Sequence, residues 1–272
     1  MTILKTYDEH LAYLHDIVRL QLHFLWRWLA AHPEEEFCHA LHERVDIYRK
    51  TDVNPEGLNP AQLHWDNPRW LAMEADVAAL YRQHRADETP DAFEERAFAV
   101  FAPSVTARAP RDFLDRSGID GYTYGSIRFD SPGKDSPSLI GIHIANTVAP
   151  RSIFDDPAYL PQCLLEVMRR AEETYGADTL ATFTWLNAVP KWLALFPPEW
   201  QDNLEPPNED ILWHYGYWGQ FINARGAFNA PLAQQLRATG RLPYLPRASR
   251  CSFAALRQHL RELSLLPQNP HR

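Results

Sequence analysis

The chain has 272 residues, 45% of them hydrophobic and 23% charged, and a formal charge of −8. That much apolar surface can offset chain entropy in a core, so disorder is excluded as the dominant state. The acidic balance excludes affinity built on a basic footprint for nucleic acid, and no run approaches the ~20 apolar residues of a membrane span. The N-terminal MTILKTYDEH has no apolar leader core, so the cytoplasm is the expected location. The only cysteines are Cys38, Cys163 and Cys251, widely spaced and without a CxxC pair. This excludes a thiolate zinc cage and argues against a disulfide framework. Nine Trp and 22 Pro stand out. They suit a core of rigid aromatic plates, or an aromatic-lined pocket for a flat or greasy small molecule.

In chain order, apolar residues recur at helical spacing over 8–31, with Asp8 as the predicted N-cap and His32-Pro33 as the stop. A second helix is predicted over 34–49, led by three acids in its first turn. His39 and His42 on it read as a solvated face. A third helix opens at Pro68, and a fourth opens at Thr89 and is expected to end before Pro103. From Gly118 the period changes. GYTYGSIRFD (121–130) alternates, and SLIGIHIANTV (138–148) is apolar on both faces, as in a central strand. A helix capped by Asp155 or Asp156 follows, closed by Gly176, then a strand over 179–185 and a short helix over 190–196. LWHYGYWGQF (212–221) reads as a fourth, aromatic strand. Helices are predicted near 229–239 and 252–264, with Ser249 as the N-cap of the last. The expected fold class is α+β: a helical domain over 1–115, then a mixed sheet flanked by helices over 116–272.

Several positions carry chemistry. His143 lies between Gly141 and Ala145 on one face of its strand, and small neighbours let another molecule approach closely. Asn146 stands at the strand end, where ligands gather in open sheets. Arg151 and Ser152 precede a helix N-terminus, which suits an anion. Trp185 and Asn187 end the third strand. On the expected fourth strand, alternation puts His214, Trp218 and Gln220 on one face. Arg225, beside Gly226, is a candidate anion clamp. Cys251 reads as a packed, inert thiol.

The order of strand, loop, helix, strand, short helix resembles the acyltransferase-like halves of the GNAT superfamily over about residues 120–225. The matching stretch is Thr184-Trp185-Leu186-Asn187-Ala188-Val189-Pro190-Lys191-Trp192-Leu193, followed by Leu195-Phe196-Pro197. The resemblance implies transfer of an acyl group to an amine from acyl-coenzyme A or a carrier-protein thioester. It places Arg151 and Ser152 nearest the phosphates, and His143 as the base that deprotonates the amine. His143 and His214 form the expected catalytic pair, with Trp185, Asn187, Trp218, Gln220 and Arg225 against the substrate. One alternative is a non-haem metal enzyme using His143 and His214, with Glu166 or Glu173 as the carboxylate. Another is a non-catalytic small-molecule binding protein.

Overall fold

The structure is a computed structural model and describes residues 5–54, 65–86, 89–115, 117–210, 212 and 215–265. In chain order the helices are α1 (Tyr7–Ala31), α2 (Phe37–Glu43), α3 (Pro68–His84), α4 (Pro90–Leu114) and α5 (Ser117–Asp120). Strands β1 (Ile127–Phe129) and β2 (Leu139–Ile144) lead through α6 (Tyr159–Tyr175) to β3 (Thr179–Thr184). Then come α7 (Pro190–Leu193), α8 (Pro198–Asp202), α9 (Ala230–Thr239), β4 (Arg247–Ser252) and α10 (Phe253–Leu265). Single 3₁₀ turns cover Tyr48–Lys50, Trp185–Ala188 and Tyr215–Phe221. Among the described residues no strand precedes Ile127, so the helix-to-sheet switch read from the sequence is present. The chain divides into two units, Met1–Asp115 with Asp210–Pro243, and Arg116–Glu209 with Tyr244–Arg272. Residues 210–243, expected in the second domain, therefore belong with the helical one.

In the helical unit, α1 starts one residue before the predicted cap. The Thr6 hydroxyl accepts from the Glu9 N–H while the Glu9 carboxylate accepts from the Thr6 N–H, a reciprocal pair that satisfies two free donors. Most of its circumference is buried, with Leu14, Ile17, Val18, Leu22 and Leu25 fully enclosed. Trp26 meets Phe93 at 5.0 Å and Tyr81 at 5.3 Å, tying α1 to α4 and α3. The expected 34–49 helix is only α2, because Val45, Asp46, Ile47 and Tyr48 are all buried and no single helix face can bury four consecutive residues. Helix α4 runs through Pro103 and Pro110 instead of stopping. Both prolines are exposed, as are Ala99 and Thr106 one turn before, so water can take the carbonyls that lose their donors.

The second unit holds a four-stranded open sheet in the order β1-β2-β3-β4. β1 and β2 are antiparallel, β2 and β3 are parallel through the α6 crossover, and β3 and β4 are antiparallel. One face carries Ile127, Ile140, Ile142, Leu180 and Cys251, buried against Leu164, Val167 and Met168 of α6 and Phe253, Leu256 and Leu260 of α10. Each such large side chain contributes about 1.5–3 kcal/mol by leaving water. Gly176 ends α6 at φ 67°, as its position predicts. The helix itself begins at Tyr159, with no side-chain cap from Asp155 or Asp156. Two segments depart further from the sequence reading. Residues 215–221 form a 3₁₀ turn rather than a strand. Residues 247–252, read as a connector, form β4 and pair with all six residues of β3.

Candidate active site

The site begins with the hairpin β1–β2. Its register pairs Arg128 with His143, which sets both side chains on the face opposite the core. One step on, the Asp130 N–H donates to the Gly141 carbonyl. Asp130 thus stands beside His143, and its Oδ2 lies 2.5 Å from His143 Nε2. The His143 side chain is 43% exposed and that of Asp130 59%. A carboxylate only accepts, so the bond fixes the proton on Nε2 and leaves the Nδ1 lone pair as the basic atom.

The floor beside this pair is made of very small residues. A Cβ placed on Gly141 would meet nothing within 4 Å. Gly141 pairs with Ala181 across β2 and β3, and Ala181 pairs with Arg250 across β3 and β4. This open face therefore carries an Asp–His pair and two exposed arginines, Arg128 and Arg250. Arg128 also lies over the Tyr122 ring at 5.5 Å. The arrangement can withdraw a proton from a bound molecule and hold a negative charge beside it.

The loop after β2 behaves differently. Asn146 turns inward on the backbone, donating to the Arg151 carbonyl at 2.9 Å and accepting from Val148 N–H at 3.2 Å. Ser152 N–H donates to Asp155 Oδ2 at 2.8 Å, Phe154 N–H to Ser152 Oγ at 3.2 Å, and Ala158 N–H to Asp156 Oδ1 at 2.9 Å. Val148, Arg151, Ser152, Asp155, Asp156 and Tyr159 enclose a crevice of only about 30 Å³. The donors that would cradle a pyrophosphate are engaged, and two carboxylates face it. Coenzyme A does not fit this loop.

Asn187 is a structural clamp. It is fully buried, and its Nδ2 donates to the Thr182 carbonyl at 3.3 Å and the Arg247 carbonyl at 2.7 Å. Its Oδ1 accepts from Trp192 Nε1 at 2.9 Å. Trp185 stacks on Tyr244, with centroids 5.9 Å apart. Trp218, Gln220 and Arg225 lie in the helical unit. The shared face assigned to Trp218 and Gln220 required strand alternation, which the 3₁₀ turn lacks. Trp218 is buried against Phe24 and Phe221, and the Gln220 side-chain N–H donates to the Tyr217 carbonyl. Arg225 is exposed at a turn closed by Asn223. His214 lies outside the described residues.

The metal alternative loses its carboxylates. Glu166 is half-buried and Glu173 exposed on α6, and both are bound by Arg169 and Arg170. Among the described residues, one group could present three metal ligands, His23, Asp91 and Glu94 of the helical unit. There the Arg237 guanidinium donates to both Glu94 oxygens and lies 3.2 Å from His23 Nδ1, so a cation already fills the place. Burial and the nearby Glu199 push the Cys251 thiol up to about 12, in line with an inert thiol.

Sequence reasoning missed Asp130 and Arg128. The turn SPGKDSP between two β runs signals a hairpin, but the register that brings Asp130 to His143 is not written in either strand. Comparison of the chain with known protein families, curated proteins and solved structures finds no match.

Proposed function

We propose that this chain is an enzyme in which His143, oriented by Asp130, acts as general base toward a small anionic molecule held by Arg128 and Arg250. The reaction is direct acyl transfer to an amine. The attacking amine gives its proton to His143 Nδ1, the new C–N bond forms, and the leaving group departs with its bonding pair. No covalent enzyme intermediate is needed, which suits a site whose described residues include no activated thiol or hydroxyl. The supporting observation is the 2.5 Å Asp130–His143 bond over the Gly141–Ala181 floor.

The test uses p-nitrophenyl acetate and mono-p-nitrophenyl succinate as acyl donors, with hydroxylamine as the amine. His143→Ala is expected to keep the native circular dichroism and lower kcat/KM by about 10²-fold or more. Arg128→Ala is expected to raise KM for the succinate ester alone. An unchanged rate in a folded His143→Ala protein overturns the proposal.

A further inference from the structure

The open face of the sheet separates its two arginines by distance from the base. The long helices α6 and α10 pack on the opposite face. On the open one, strand pairing sets side chains in ranks across the sheet. One rank begins Arg128–His143. The next, two residues along each strand, runs Asp130–Gly141–Ala181–Arg250 from the first strand to the last. Neighbouring strands lie about 4.8 Å apart and residues on one face repeat about every 6.7 Å, so the Cα atoms of His143 and Arg250 stand about 12 Å apart. Arg128, the direct partner of His143, is only about 5 Å from it. One arginine thus serves an anion close to the base, and the other an anion far from it.

The surface between His143 and Arg250 is apolar. A line joining them crosses β3 between Ala181 and Phe183, which share the outward face because Leu180 and Thr182 are buried on the other. The Thr182 hydroxyl donates to the Ile142 carbonyl at 3.1 Å, which keeps β2 and β3 aligned here. Phe183 is 44% exposed, and a Cβ on Gly141 would meet nothing within 4 Å. At the far end Arg250 is exposed, and among the described residues its guanidinium has no hydrogen bond or ion pair. Arg169, Arg170 and Arg257 of the same unit are each held by glutamates. A molecule lying on this surface meets a base, then apolar contacts, then a positive charge with no counter-charge.

We infer that the amine accepted at His143 carries a carboxylate at the far end of an apolar spacer, and that Arg250 binds this carboxylate. The acceptor is then an ω-amino acid of the length of 6-aminohexanoate. The inference rests on the acyl transfer proposed above and leaves Arg128 to the donor. The test offers three acceptors with p-nitrophenyl acetate: 6-aminohexanoate, hexylamine, which is as basic but has no carboxylate, and glycine, whose two ends are too close together to reach both residues. The N–C bond forms as p-nitrophenolate leaves, and the amine proton passes to His143 Nδ1. Saturation-transfer NMR reads binding of each amine to the full chain without reaction. The KM for 6-aminohexanoate is expected about tenfold or more below the other two, the gain from one charge-assisted contact. Arg250→Gln should raise that KM by a similar factor. Ala181→Leu, whose side chain stands in the path, should raise it too, and in both variants the NMR signal of 6-aminohexanoate should fall. Equal KM values for the three amines, or an unchanged KM in folded Arg250→Gln, overturn the inference and leave the role of His143 standing. If no amine is acylated, that role falls and the NMR decides the inference alone. A signal lost in Arg250→Gln upholds the carboxylate site, and one absent from wild type or retained in the variant overturns it.

Discussion

Replacing Asn187 by Ala separates a structural clamp from a substrate contact. Its amide joins the end of β3, the start of β4 and the Trp192 indole through three hydrogen bonds. Truncation leaves the Trp192 N–H and two carbonyls without that partner in an enclosed place. Each orphaned buried group costs about 1–3 kcal/mol. With partial relief from water the expected loss is about 3–5 kcal/mol, a large share of the ~5–15 kcal/mol that holds a typical protein folded. Tm should then fall by about 6–20 °C, at ~2–4 °C per kcal/mol for a chain of this size. Urea titration followed by tryptophan fluorescence gives the free energy directly. Asn187→Asp sharpens the test. The carboxylate still accepts from Trp192, but it faces the two carbonyls with no donor. It should destabilise at least as much as Ala at neutral pH and recover as acid protonates it. A loss below about 1 kcal/mol, together with a large fall in kcat/KM, would refute the clamp and return Asn187 to the substrate.

Three further outcomes follow from the geometry. Gly125→Ala should cost about 2–5 kcal/mol, because Gly125 has φ +66° and an added Cβ would sit 2.4 Å from Cys163 Sγ; a neutral result in thermal unfolding refutes it. At pH 8 iodoacetamide should label Cys251 and Cys38 only slowly, since burial, aided by Glu199 and Glu74 respectively, pushes their thiols up to about 12 and about 11. Rapid mass-spectrometric labelling of native protein would show those thiols to be accessible and ionised. Burial raises the Glu94 carboxyl, but hydrogen bonds from His23 and Arg237 outweigh it and leave its pKa below the usual carboxylate value. A carboxyl lowered by folding stabilises above its unfolded pKa and loses that contribution as pH falls through its folded pKa. The stability gap between wild type and Arg237→Gln should therefore narrow as pH drops below about 4.5. A gap that is constant between pH 7 and 3 in urea titrations contradicts this.

The sequence reading succeeded where period and caps agree. Helices α1, α3, α6, α9 and α10 all carry an apolar stripe, and Pro68 and Gly176 mark their ends as read. It failed where context overrides local preference. Pro103 signals a stop, yet its exposed side of α4 lets water replace the missing bond. Arg247-Ala-Ser-Arg-Cys-Ser has little strand preference and becomes β4 only because β3 offers a full row of partners. Tyr215–Phe221 alternates aromatics like a strand, but Trp218 and Phe221, three apart, share the buried side of a 3₁₀ turn. The room beside His143 was legible from Gly141 and Ala145. Asp130 was not, because it depends on register.

The division of the chain constrains how the protein can be made. It passes between the two units after residues 115, 209 and 243. Glu94 leaves the ribosome 143 residues before Arg237, the side chain that neutralises it. At ~5–20 residues per second that interval is on the order of ten seconds. During it, Phe24 lacks Trp218 and α1 keeps part of its apolar surface in water. β3 likewise waits for β4, and its unpaired edge offers a template for another nascent chain. Neither unit can close before translation is nearly complete. A premature stop between residues 185 and 246 leaves the β3 edge uncovered, so such fragments should be substrates for chaperones and proteases.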